Sequence, residues 1–171
     1  VGVVGRPHQL VLQVPEDRVN IAMGWPQDVP FAPLEQHHPA QIGAPQPPFE
    51  AAMPLKFINP WRIKVPAGYS VLLTQPFNRP DLPFTCFSGL VDCDRFETTI
   101  NLPFLWTGPV GQHLLPAGTP IAQIIPIRRD ALLKDHASRP ATEAEMAEEA
   151  AARERKYHEE STYARDWRVK K

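Results

Sequence analysis

Asp92 and Asp94, separated only by Cys93, are the residues of this chain best placed to do chemistry. If that segment is extended, side chains two apart share a face, so both carboxylates project together after Ser88 and Gly89. Such a pair could activate a water as general base. It could also hold Mg²⁺, which is often bound by one or two carboxylates plus substrate phosphates. The competing reading is turn chemistry, because Asp bonds backbone two residues onward. Gln75, Asn78 and Arg79 lie in a stretch broken by Pro76, Pro80 and Pro83. A loop stiffened by proline loses little entropy on gripping a ligand. Arg79 facing Asp92 would create either a polar pocket or a buried ion pair. Asp92 is therefore the candidate catalytic residue, with Asn78, Arg79 and Asp94 as candidate ligand-binding residues.

Glu35, His37 and His38 form a second polar group, and Glu35 and His37 share a face if extended. No second histidine cluster has ligand spacing and His113 is isolated, so these read as surface histidines rather than a metal site. The His-x-His signature of cupin dioxygenases is missing. No cofactor is expected, Mg²⁺ entering only if the carboxylates hydrolyse a nucleotide.

The elements that must position these residues follow from proline. The chain has 21 prolines among 171 residues, and ten of them fall before residue 55. Proline fixes φ and lacks an N–H, which excludes long helices and central strands there. Residues 1–54 therefore read as two strands (8–14 and 18–23) followed by a Pro-rich extended arm. Residues 55–130 read as the core domain, with strands at 56–58, 62–65, 69–74, 84–87, 98–102 and 121–127 between turn signals. Six short strands without an intervening helix predict a mainly β fold, a small antiparallel β-clip or jelly-roll-like core. Trp61, Tyr69, Phe77, Phe84, Phe87, Phe104 and Trp106 are expected inside it. Residues 131–171 change character: Thr142 and Glu145 form a capping box ahead of strong helix formers. The helix has only a thin apolar stripe, and a basic tail carrying Trp167 ends the chain.

With 18 Lys and Arg against 19 Asp and Glu, a net charge of -1 makes nucleic acid an improbable partner. No apolar run approaches the length of a membrane span, and no signal peptide is evident. Cys86 and Cys93 are expected as free thiols, which favours a cytoplasmic setting. That means the cytoplasm of the host cell, or the virion if the chain is phage-encoded.

The stretch 66–127 resembles the β-clip core of the dUTPase and dCTP-deaminase superfamily. The resemblance rests on Pro66-Ala67-Gly68-Tyr69, on Gly89-Leu90-Val91-Asp92 and on Gly118-Thr119-Pro120-Ile121-Ala122-Gln123, in the family's order. It implies a trimeric fold in which Asp92 activates water while Asn78, Arg79 and Gln123 contact substrate. Arg95 stands where that family has its stacking aromatic, and residues 75–80 replace its Arg-Ser phosphate loop. The chain also resembles a set of functionally uncharacterised small proteins from tailed phages and bacteria. That likeness is carried by Asn59-Pro60-Trp61, Gln75-Pro76 with Asn78-Arg79, Ser88-Gly89 with Val91-Asp92 and Asp94, and Gly118-Thr119-Pro120.

Two functions follow as expectations. The favoured one is a non-enzymatic β-clip-like protein that assembles into a homo-oligomer, preferably a trimer, with a phage structural or accessory role. Other phage or host proteins are possible partners. The alternative is a dUTPase-like nucleotide hydrolase using Asp92 as general base.

Overall fold

The computed structural model describes residues 2–5, 7–42 and 52–158. The described residues contain eleven strands: β1 (Gly2–Gly5), β2 (Leu10–Val14), β3 (Ala22–Gly24), β4 (Leu34–Gln36), β5 (Leu55–Phe57), β6 (Tyr69–Thr74), β7 (Phe84–Cys86), β8 (Gly89–Val91), β9 (Leu102–Trp106), β10 (Gly111–Leu115) and β11 (Pro120–Arg128). All pairings are antiparallel. The expected mainly β core is thus observed, built as three sheets ordered β1-β11-β6-β8, β10-β2-β3 and β4-β5-β9-β7.

Alternation explains how each sheet reaches the shared core. In β2, Leu10, Leu12 and Val14 are buried at a period of two while Gln13 is exposed. Across β5, β9 and β7, Leu55 lies opposite Phe104, Phe57 opposite Leu102, and Phe84 opposite Trp106. The rings of Phe57 and Phe104 stack with centroids 4.0 Å apart, and Phe84 meets both edge-on. Fully burying one such ring stabilises by about 2–3 kcal/mol, so this cluster anchors the fold.

Several expectations change. Residues 62–65 form no strand. Asn59, almost fully buried, donates to the Trp61 carbonyl and accepts the Trp61 N–H, so its amide substitutes for a strand partner. The chain then continues to Pro66 with only Ile63 and Val65 leaning on the core. The strand expected at 98–102 lies instead at Leu102–Trp106. Trp61 and Phe77 are exposed, and Tyr69 and Phe87 half-buried, leaving Phe84, Phe104 and Trp106 as the core aromatics of those expected. No helix interrupts 55–128.

The proline-rich N-terminal part is joined to the core rather than free of it. Strand β4 adds to the third sheet beside β5, Leu34 and Val29 are buried, and Trp25 packs against the core. Residues 1–132 form one compact unit and 133–171 a second. In the second unit, α1 (Glu143–His158) begins with the expected capping box. The Glu145 N–H donates to Thr142 Oγ1 at 3.3 Å, and the Thr142 N–H donates to Glu145 Oε2 at 2.8 Å. Arg139 also grips Glu145, whose carboxyl falls to about 2. The tail from Trp167 to Lys171 lies outside the described residues.

Candidate functional site

Strand β8 delivers Asp92 into a turn in which the N–H groups of Arg95 and Phe96 both donate to the Asp92 carbonyl. The turn swings Asp94 under Arg129, which directly follows β11. Arg129 Nη1 donates to Asp94 Oδ1 at 2.8 Å and Nη2 to Oδ2 at 2.5 Å, a bidentate pair. The Gly68 N–H adds a bond to Asp94 Oδ2 at 2.9 Å. Gly68 holds φ at +85°, a left-handed conformation that glycine adopts freely in the turn opening β6. Arg129 also donates to the Tyr69 carbonyl, and its own N–H donates to the Gly68 carbonyl.

The two aspartates therefore differ. The Asp94 side chain is 7% exposed and both its oxygens are engaged, so it is a clamp joining β8, β6 and β11. The Arg129 guanidinium, followed by the Gly68 N–H, holds its carboxyl well below the usual carboxylate range. Asp92 is 57% exposed; its Oδ1 accepts the Ser70 hydroxyl at 2.5 Å and lies 3.5 Å from Arg129 Nη1. The expected partnership of Asp92 with Arg79 is not formed. Arg79 instead makes a bidentate pair with Asp81 at 2.7 and 2.6 Å on the surface.

The reason is topological. Asp92 and Asp94 gather at the start of β6, beside Tyr69 and Ser70, whereas Asn78 and Arg79 follow its end. At ordinary strand rise the span from Ser70 to Gln75 is roughly 16 Å. Gln123 sits opposite Thr74 at that far end, and its amide donates to the Gly2 carbonyl, tying β11 to β1. Asn78, at φ +57°, and Arg79 line a broad open depression with Gln75, Pro76 and Thr107. Gln75 itself bridges sheets, donating to the Phe84 carbonyl and accepting the Cys86 N–H. Within one chain Asp92 and Asp94 lie at one end of β6 and Asn78, Arg79 and Gln123 toward the other, so the candidate residues do not share one pocket.

Comparison with protein-family models, with curated proteins and with solved structures finds no match to this chain. Its functional reading rests on its own geometry.

That geometry has a feature the motifs did not signal. In β6, Val71 and Leu73 point into the core and Leu72 and Thr74 lie on the opposite face, with Ser70 on that face buried beneath Asp92 and Arg129. Register places Leu90 and Ile125 beside Leu72, Ile127 beside Ser70, and Val3 beside Gln123. Leu90 is 48% and Val3 55% exposed, and Leu72, Ile125 and Ile127 are half-exposed. The outer face of the first sheet is thus largely apolar, and the Asp92–Ser70–Arg129 group borders it. The signal was legible: 121–127 contains five aliphatic residues, too many for a strand buried on one face only.

Cys86 and Cys93 are both free and buried, as expected. Burial pushes the Cys86 thiol up to about 12, and burial followed by Asp92 and Asp94 raises that of Cys93. Among the described residues no helix is long and apolar enough to cross a membrane.

Proposed function

We propose that the protein is a non-enzymatic β module that assembles with copies of itself, as a homotrimer, through the outer face of the β1-β11-β6-β8 sheet. The observation that carries this reading is the register-aligned row of Leu90, Leu72 and Ile125 on that face, bordered by the charged clamp. An apolar centre with a polar rim is the anatomy of an association surface. The proline-rich N-terminal stretch offers less for association, because its Val29 and Leu34 are buried by their own chain. Engagement of Asp94 by Arg129 and Gly68 supports a structural role for the carboxylates. A phage structural or accessory component, in the host cytoplasm or the virion, fits a self-assembling module of this size.

Sedimentation velocity at micromolar concentration tests the proposal. Wild type is expected to sediment as a trimer, and Leu90→Glu as a monomer with an unchanged melting temperature. A monomeric wild type, or an unaffected Leu90→Glu, overturns it. Turnover of dUTP or dCTP by the same samples would instead establish the hydrolase alternative.

A further inference from the structure

A cavity of about 260 Å³ opens between the end of β6, strand β8, the start of β9 and the turn that follows β4. Its floor is apolar, from Leu73, Ile100 and Leu102, all buried. Its mouth is polar, from the exposed Gln41, Ser88 and Asn101.

Two observations show why it exists and what it lacks. Gly89 sits opposite Leu73 in the ladder, on the face where Val91 packs against the core. A Cβ there would meet nothing within 4 Å, so position 89 opens onto the cavity instead of filling it. His37 lies in the wall, and its Nδ1 has no hydrogen-bond partner among the described residues; that atom is closed off from water as the side chain stands, so a ligand meets it only when the imidazole turns toward the cavity. A buried polar atom left without a partner costs free energy that a bound donor recovers. Burial, then Lys56 and His38, push the imidazole toward its neutral form, so it suits an uncharged donor rather than an anion.

We infer that this cavity is a binding site for a small uncharged aromatic molecule bearing one hydroxyl, its ring on Leu73, Ile100 and Leu102 and its hydroxyl on His37. Size supports the class: a cavity of about 150 Å³ lined by Leu, Ile and Phe accommodates benzene, so this one admits a substituted ring. The inference does not depend on self-association.

Phenol and toluene are the probes, followed by amide chemical-shift titration of the full chain. Phenol is expected to shift residues 73, 89 and 100–102 saturably, and to bind about tenfold tighter than toluene. Gly89→Leu is expected to abolish both titrations without lowering the melting temperature. His37→Phe is expected to remove the preference for phenol while toluene still binds. Absence of saturable shifts in wild type overturns the inference, as does binding that persists in Gly89→Leu. A phenol preference that survives His37→Phe overturns the role of His37. If Gly89→Leu fails to fold, the His37→Phe comparison decides alone.

Discussion

Asp94 and His37 are both polar groups sunk at the margins of strand β6, Asp94 near its first residues and His37 near its last. Their surroundings are opposite. Each Asp94 oxygen meets a donor, from Arg129 and the Gly68 N–H, and the pair fastens three strands. His37 Nδ1 meets none among the described residues, in a side chain that lines a cavity. Their sequence settings point the other way, Asp94 sitting two residues from a second carboxylate and His37 in a proline-rich stretch typical of surface. Satisfaction of hydrogen-bonding capacity separates them better than residue type: an answered group holds the fold, and an unanswered one is free to hold something else.

The largest expected effect breaks the answered side. Asp94→Asn leaves Arg129 without its carboxylate and is expected to lower the melting temperature by on the order of 5 °C or more. Asp92→Asn, which loses only the Ser70 bond and a 3.5 Å approach to Arg129, should lower it by less than about 2 °C. Equal losses would erase the distinction between the two carboxylates.

The next test uses pH. A carboxyl whose folded pKa is depressed contributes stability that is complete above its unfolded pKa, about 3.9, and is lost as pH falls through the folded value. Asp94 is depressed by Arg129 and Gly68. The gap in urea midpoint between wild type and Asp94→Asn should therefore be constant from about pH 7 to 5 and narrow below about pH 4. A gap that narrows above pH 5 would place the clamp's titration elsewhere.

Breaking the unanswered side should carry the opposite sign. His37→Leu removes an orphaned polar atom, so the melting temperature should rise by about 3 °C. A fall of that size would mean that Nδ1 has a partner and would remove the anchor of the proposed ligand site.

The smallest effect is kinetic. Both thiols should resist alkylation in the native protein at about pH 8, since burial raises each. In Asp94→Asn, Cys93 in the clamp turn should react about tenfold faster while Cys86 does not, by mass spectrometry, because only the clamp opens locally. Equal acceleration at both would indicate global loosening.

Much of the fold could be read from local rules. Strand β6 falls on the expected 69–74, because turn signals at Pro66–Gly68 and Pro76 bracket a run rich in β-formers. The Thr142–Glu145 capping box is another element whose interactions span one turn, so sequence suffices. Strands β1, β4, β8 and β10 were not legible, being three to five residues long and stabilised by partners distant in sequence. β9 lies at 102–106 rather than 98–102 because its register with β5 and β7 keeps Phe104 and Trp106 inside, even with Pro103 in the strand.

By itself the sequence determined the β class, the terminal helix, the free thiols and which carboxylates sit two apart. Those depend on backbone preferences and on neighbours within a few residues. Tertiary structure alone decided that Asp94 belongs to Arg129 rather than Asp92 to Arg79, since the direction and register of β6 place Asp92 and Asp94 at one end and Arg79 beyond the other. It likewise decided that Gly89 leaves a cavity and that Leu72, Leu90 and Ile125 align in one row. Ladder register and sheet packing bring together residues tens of positions apart, and no local preference encodes that meeting.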